Sequence, residues 1–310
     1  MSNPRMDQLS TNVAPRPRVV VGVDGSPESS AAARWAADAA VHRHQELQLI
    51  YSGFLPVLGY PTMGYPIDFV EQADQQGRNL LTNVMREIKA RQPGLTLTAE
   101  HVQSDPRQAL VDASRTASLT VLGNRGGGRL QHVMVGSVAL HVAAHAYSPV
   151  AVIPKDDHQL GSGPILVGVD GSANSTAAIA FAFDEAAVRG VDLVAVLTFD
   201  DWAAQGLAGR PLESSIAGTQ EHHAVMSEEL AGWREKYPDV EVTERVYRGQ
   251  AADCLVGFAE HAPAAQRAQM IVVGSRGRGG LTGLFLGSTS HALISHASCP
   301  VVVVRPVQGS

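Results

Sequence analysis

The stretch VVVGVDGSPESSAAARWAADAA (19–40) returns later in the chain as ILVGVDGSANSTAAIAFAFDEAA (165–187). Each copy opens with an apolar β-branched run, turns at Asp-Gly-Ser and continues into an alanine-rich segment. Continuous apolar runs are typical of strands buried on both faces of a parallel sheet. A serine followed by proline and an acid marks the start of a helix. The stretch therefore predicts a strand, a tight turn and a helix, formed twice.

Two further blocks recur in the same order. GNRGGGRLQHVMVGS (123–137) matches GSRGRGGLTGLFLGS (274–288), and HAYSPVAVIP (145–154) matches HASCPVVVVRP (296–306). Because the order and spacing of the blocks are kept, the chain reads as two copies of one domain rather than a solenoid. The predicted division is a disordered tail over 1–17, domains over 18–154 and 164–306, and a linker over 155–163.

Short apolar runs alternate with longer helical patterns in each copy, which predicts an α/β fold with parallel sheets and helices on both faces. The last strand of each copy is an apolar edge, and exposed apolar edges promote aggregation. We therefore expect the two last strands to pair with each other across a pseudo-twofold axis. The predicted strands are 18–23, 47–52, 95–102, 118–123 and 150–153, then 165–169, 191–197, 240–247, 270–273 and 301–304; the first copy's helices are 27–43, 68–91, 106–116 and 136–146.

Composition narrows the classes of partner. The 310 residues carry a net charge of −6, which gives no reason to expect nucleic acid or an anionic membrane as a partner. Cys254 and Cys299 are the only cysteines, so a disulfide framework is excluded and a reducing cytoplasm is expected. The N-terminus has no apolar signal core, and no apolar run approaches the length of a membrane span.

Three recurring elements carry the candidate chemistry: the Asp of the first turn, the glycine-rich loop after the fourth strand, and a Gly-Ser pair that opens the fourth helix. Ligands of open parallel sheets bind beyond the carboxyl ends of the strands, where the strand order reverses. Glycine-rich loops and helix N-termini present N–H groups to phosphate, and arginines can clamp it. Asp24 and Asp170 would instead accept hydrogen bonds from a ribose hydroxyl or an adenine amino group.

Simpler interpretations exist for several positions. An isolated Asp-Gly-Ser is typical of a turn that feeds a helix cap. His145 and His296 are expected to bond backbone carbonyls in a last helical turn, and the segment 42–44 is expected to be a solvated helix end. Trp35 and Cys299 are expected in the core. P-loop, dinucleotide-fold, nucleophile-elbow and zinc-protease motifs are all absent, so no catalytic or metal-ligating residue is predicted.

The spacing G-x2-G-x9-G-[ST], satisfied in both copies and combined with GVDGS, resembles the ATP-binding branch of the universal stress protein family in its tandem actinobacterial form. The resemblance implies five-stranded sheets of order 3-2-1-4-5 and one ATP per copy, with or without Mg2+. It implies site one at Gly22, Asp24, Gly123, Asn124, Arg125, Gly126, Gly127, Gly128, Arg129, Gly136, Ser137 and Val138. It implies site two at Gly168, Asp170, Asp201, Gly274, Ser275, Arg276, Gly277, Arg278, Gly279, Gly280, Gly287, Ser288, Thr289 and Ser290.

The resemblance also implies a cytoplasmic homodimer linked to stress, dormancy and low-oxygen responses, with an unknown downstream partner. We favour a nucleotide-dependent sensor or regulator, because neither a P-loop lysine nor a repeated candidate base is present. A slow ATPase and a ligand-free dimerisation scaffold remain as alternatives. The two sites are expected to differ in affinity, since Asn124 stands where site two has Ser275, and VQSDPR stands where the second copy has Gly249.

Overall fold

A computed structural model describes most of the chain, in eight segments. They are residues 17–54, 67–126, 135–154, 163–199, 212–213, 219–261, 267–277 and 286–306.

The first half alternates strands and helices as the sequence predicts, with boundaries that differ by a few residues. α1 begins after Ser26, whose hydroxyl accepts the N–H of Ser29 at 3.1 Å and so caps the helix. The elements are β1 (Arg18–Gly22), α1 (Pro27–His42), β2 (Glu46–Ser52), α2 (Ile67–Arg91), β3 (Leu97–Val102), α3 (Pro106–Ala113), β4 (Ala117–Gly123), α4 (Ser137–His145) and β5 (Val150–Ile153).

The second half repeats this order with one addition. Ser172 caps its first helix in the same way, accepting the N–H of Ser175 at 3.2 Å. The two-residue strand β8 was not predicted, since so short a segment carries no periodic signal. The elements are β6 (Ile165–Val169), α5 (Ala173–Arg189), β7 (Leu193–Phe199), β8 (Leu212–Glu213), α6 (Thr219–Lys236), β9 (Val242–Arg248), α7 (Ala251–His261), β10 (Met270–Gly274), α8 (Ser288–His296) and β11 (Val301–Val304).

All eleven described strands form one sheet, in the order β3-β2-β1-β4-β5-β11-β10-β6-β7-β9-β8. Within each half the strands homologous to the first five run parallel in the order 3-2-1-4-5, as the resemblance implies. The halves join where β5 pairs antiparallel with β11, Ala151 opposite Val302, which confirms the predicted pairing of the two last strands. Because this pairing is antiparallel, the strands of the two halves run in opposite directions. Their carboxyl ends therefore lie on opposite sides of the sheet, along the strand direction.

Helices cover both faces of the sheet. One continuous core packs α1, α2, α5 and α6 against the sheet, and a second packs α3, α4, α7 and α8 against the other face. Trp35 and Cys299 are buried, as expected. Among the described residues, no helix combines the length and the apolar character that a membrane span requires.

At the end of the first helix of each half, an arginine packs against an aromatic ring on the first helix of the other half. Arg43 lies over the ring of Phe181 at 5.2 Å, and Arg189 lies over Trp35 at 5.4 Å. Both arginines also bind Glu185, whose side chain is only 1% exposed. The segment 42–44 was predicted to be a solvated helix end. His42 and His44 are exposed, but the prediction is wrong for Arg43, because the partner that covers it comes from the other half of the chain.

Candidate functional site

Each predicted aspartate stands at the carboxyl end of its first strand and holds the turn into the first helix. Asp24 accepts the N–H of Ser26 on Oδ1 at 2.9 Å, and Asp170 accepts the N–H of Ser172 on Oδ1 at 3.0 Å. Gly25 and Gly171 between them have φ of +86° and +71°, a conformation that glycine adopts without steric cost. The turn that feeds a helix cap is therefore real in both copies, and it occupies one carboxylate oxygen.

The second carboxylate oxygen of each aspartate faces the glycine-rich loop. A Cβ atom added to Gly126 would lie 2.7 Å from Oδ2 of Asp24, and one added to Gly277 would lie 2.6 Å from Oδ2 of Asp170. Both distances are shorter than real Cβ contacts. The fold thus brings together two elements that lie far apart in sequence, and only glycine permits this approach.

The other predicted glycines divide into two roles. A Cβ on Gly123 would meet the backbone of Glu28 at 2.8 Å, and one on Gly274 would meet Asn174 at 2.8 Å. These two glycines therefore allow α1 and α5 to pack against the strand ends. Gly22 and Gly168 face apolar side chains of α3, α7 and the neighbouring strands, with the nearest contacts at 2.8 and 3.2 Å.

The start of the fourth helix is tied back to the loop in both halves. Gly136 donates its N–H to the carbonyl of Asn124 at 2.8 Å, and Gly287 donates to the carbonyl of Ser275 at 2.7 Å. Neither Gly136 nor Gly287 can cap its helix with a side chain. The first N–H groups of α4 and α8 are consequently not satisfied by a side-chain cap, which makes these ends suited to an anion.

In site two these elements enclose a cavity of about 400 Å3. That volume lies in the range of small-ligand pockets. The sequence did not single out the apolar walls of this cavity, such as Val196 in the middle of β7. Ser290 uses its hydroxyl to bind the carbonyl of Gly274 at 2.7 Å. The lining consists of Gly168, Val169, Asp170, Ser175, Val196, Thr198, Ala251, Leu255, Val273, Gly274, Arg276, Gly277, Leu286, Gly287, Ser288, Thr289 and Ser290.

Several other predicted site residues are not part of the cavity lining of site two. Ser275 is buried and donates its hydroxyl to Asn174 at 3.0 Å, which directs the side chain toward α5. Arg125 stands beside Gly136, and Ser137 and Val138 open α4. Seven further predicted residues lie outside the described residues: Gly127, Gly128, Arg129, Asp201, Arg278, Gly279 and Gly280.

Site one differs from site two at its rim. Asp105 caps α3 by accepting the N–H of Arg107 at 2.9 Å and the guanidinium of Arg107 at 2.9 and 2.7 Å. The hydrogen bond from the Arg107 side chain lowers the pKa of Asp105 to about 2. The corresponding positions of the second half are Gln250 and Ala252, as the paired registers of the strands before them indicate. An ion pair therefore borders site one that has no counterpart at the matching positions, Gln250 and Ala252, of site two.

The two corresponding histidines His145 and His296 have backbone partners. Nδ1 of His145 lies 2.8 Å from the carbonyl of His141, and Nδ1 of His296 lies 2.9 Å from the carbonyl of Ala292. Both contacts match the structural role expected from the sequence. Burial, followed by the charges of His145 and Arg107, lowers the pKa of His141. The described part of the chain contains no group of three or more His, Cys, Asp or Glu placed to hold a metal ion.

Comparisons with known proteins agree with this organisation. A family model described as the universal stress protein family matches residues 15–154 and again 162–305. A universal stress protein of Mycobacterium tuberculosis is 41% identical over 293 residues, covering 93% of this chain and 96% of its own length. One from Mycolicibacterium smegmatis is 38% identical over 303 residues, covering 93% and 97%. The crystal structure of a universal stress protein from Archaeoglobus fulgidus superimposes with a TM-score of 0.68 at 20% identity, covering 93% of this chain and 98% of that one.

Proposed function

Since this chain belongs to the universal stress protein family, with one family domain in each half, we propose that it binds one ATP per domain and acts as a nucleotide-dependent regulator. The observation that supports this most directly is the contact between the turn aspartate and the glycine loop, formed twice. Asp24 faces Gly126 and Asp170 faces Gly277, each within the space that a methyl group would need. A loop held this close presents backbone N–H groups rather than side chains to a ligand.

The residues of site two fit an adenine nucleotide. Val196, Thr198 and Leu255 supply apolar and hydroxyl surface on which a base can lie. Asp170 is the hydrogen-bond acceptor for a ribose hydroxyl or an adenine amino group. The uncapped start of α8 and Arg276 suit the phosphates, since both favour negative charge. The fraction of sites that hold the nucleotide would signal the energy state of the cell, and the protein would respond to that fraction.

The remaining parts of the proposal concern context. We place the protein in the cytoplasm as a homodimer that responds to stress, including dormancy and low oxygen, through a downstream protein. The domain limits 18–154 and 164–306, with the linker 155–163, stay predictions. Slow hydrolysis of ATP is the alternative activity, and release of inorganic phosphate from purified protein would reveal it.

The test removes one site at a time. Gly126→Ala and Gly277→Ala each place a methyl group against a carboxylate that the turn holds in position, so the loop must move away from the ligand. We expect each variant to bind one ATP per chain where the wild type binds two, with at least a tenfold weaker affinity at the altered site, a change of about 1.4 kcal/mol. Isothermal titration calorimetry with ATP measures both quantities.

Gly232→Ala is the matched control, because a Cβ at that position in α6 meets nothing within 4 Å. It should leave the ATP stoichiometry and affinities unchanged while raising helix stability by about 0.5–1 kcal/mol. Two ATP molecules bound with wild-type affinity in both single variants of the loop would overturn the proposed sites. Absence of ATP binding by the wild-type protein would overturn the proposed function itself.

A further inference from the structure

The residue that follows the last strand differs between the two halves at a point close to the glycine loop. In site two the N–H of Ser275 donates to the carbonyl of Val304 at 2.8 Å, and the next residue is Arg305. In site one the N–H of Asn124 donates to the carbonyl of Ile153 at 2.8 Å, and the next residue is Pro154. The same backbone position therefore carries a cation beside site two and none beside site one.

Arg305 is held in place by the other half of the molecule. Its Nη1 donates to the carbonyl of Ala144 at 2.6 Å, in the last turn of α4. Free carbonyls at a helix C-terminus favour a positively charged donor. The antiparallel pairing of β5 and β11 makes this contact possible. Because of it, the C-terminal end of α4 lies on the same side of the sheet as the carboxyl end of β11 and site two. The guanidinium is thus oriented before any ligand arrives.

The backbone of Arg305 follows the hydrogen bond between Val304 and Ser275, so it lies beside the loop residue that precedes a second arginine. Arg276 follows Ser275 directly and lines the cavity of site two. Burial, together with the positive charge of Arg276, lowers the pKa of Arg305, and Tyr147 opposes this effect. Within the described ranges no carboxylate forms an ion pair with either arginine. Two arginines at adjacent strand ends without a carboxylate partner favour the binding of an anion, and planar guanidinium groups suit phosphate oxygens.

We propose that Arg305 is a specificity-determining residue of site two, the second cation with Arg276 for the terminal phosphate of the nucleotide. This inference rests on the proposed function, since it assumes ATP in site two. It adds that the two sites discriminate differently: site two favours a triphosphate over a monophosphate more strongly than site one does. It also means that site two is completed by a side chain whose orientation depends on the first half.

The experiment compares ATP with AMP at one site. In a Gly126→Ala background, which leaves site two intact, Arg305→Gln should weaken ATP about tenfold and AMP less than twofold, because a charged hydrogen bond to the terminal phosphate is lost. Arg305→Lys keeps the charge without the paired donors and should lose less. Arg86→Gln makes the same charge change on α2, where its side chain binds Asn83 at the surface, and should change neither affinity.

The converse variant adds the missing cation to site one. In a Gly277→Ala background, Pro154→Arg should raise the ratio of ATP to AMP affinity severalfold. Melting temperatures and circular dichroism establish that each variant is folded before titration. Equal losses of ATP and AMP affinity in both Arg305 variants, or no loss in either, would overturn the proposed role while leaving ATP binding intact. A Gly126→Ala protein that binds no ATP at all would instead overturn the proposed nucleotide site.

Discussion

The two halves of the molecule agree in their turns and differ in what surrounds them. The aspartate, its bond to the following serine and its contact with a loop glycine are reproduced within 0.1 Å between Asp24 and Asp170. Around this common frame, Asp105 with Arg107 borders one site, and Gln250 with Ala252 borders the other. What is shared fixes backbone geometry, and what differs changes charge. The two copies therefore share the backbone shape of the aspartate turn and the glycine loop, and they differ in the charged side chains around it.

The same division holds where the halves meet. Arg43 and Arg189 exchange aromatic partners symmetrically across the axis, but the acid between them belongs to one half only. Glu185 binds both arginines, whereas its counterpart in α1 is the fully buried Ala39. Burial alone would raise the pKa of Glu185, but the charges of Arg189 and Arg43 outweigh it and lower that pKa. A single carboxylate is thus shared by a symmetric pair of cations.

Removing that carboxylate gives the largest effect we expect. Glu185→Ala leaves two arginines, 3% and 10% exposed, without a counter-ion. Breaking a buried pair from one side costs about 3–5 kcal/mol. The free energy of unfolding, measured by urea denaturation at pH 7, should fall by that amount. Because the folded-state pKa of Glu185 lies below its ordinary value of 4.5, its contribution is complete above pH 4.5 and is lost as the pH falls below it.

Asp112→Ala provides the control for Glu185→Ala. Its ion pair with Arg115 has both side chains more than half exposed, and such surface pairs contribute about 0–1 kcal/mol. Equal losses of stability in the two variants would mean that the axis is held by apolar packing and that the charge asymmetry is without consequence.

The next largest effect concerns the loop that follows the third strand of each half. Gly249 has φ of +140°, a conformation almost restricted to glycine, and a Cβ there would make only an ordinary contact with Cys254 at 3.5 Å. Gly249→Ala should therefore cost about 1–3 kcal/mol through backbone strain rather than steric overlap. Ser104→Ala at the corresponding position should cost about 0.5 kcal/mol or less. Similar costs in urea denaturation would show that the two loops share one conformation.

Sequence reasoning predicted the shared frame and some differences between the sites, but it missed the contacts between the two halves, for a physical reason. The repeated strand-turn-helix unit and the pairing of the two last strands follow from the sequence pattern, and the strand order follows from the family resemblance. The burial of Arg43 follows from neither, because the partners that bury it lie on α5 of the other half. The contact of Arg305 with Ala144 is missed for the same reason. Gly123 shows another limit. The residue type alone does not distinguish a glycine needed for helix packing from a glycine needed for ligand binding.

The smallest effect tests the rim of site one. Asp105 caps α3 and is held by Arg107, while Gln250 takes its place before α7. Asp105→Ala should cost about 1 kcal/mol as a lost N-cap. Gln250→Ala should stay within about 0.5 kcal/mol. Urea denaturation at pH 7 measures both changes.

Acid titration separates the charge of Asp105 from its shape. The folded-state pKa of about 2 lies below the ordinary value of 3.8, so the carboxylate contributes fully above pH 3.8 and its contribution is lost as the pH falls through about 2. Asp105→Asn keeps an N-cap acceptor but removes the ion pair, and should therefore retain most of the stability at pH 7. If Asp105→Asn instead loses as much as Asp105→Ala, the ion pair with Arg107 rather than the cap is what distinguishes the two rims. Carboxyl NMR titration of the wild-type protein then decides whether that pair persists in solution, since a free Asp105 would titrate near 3.8.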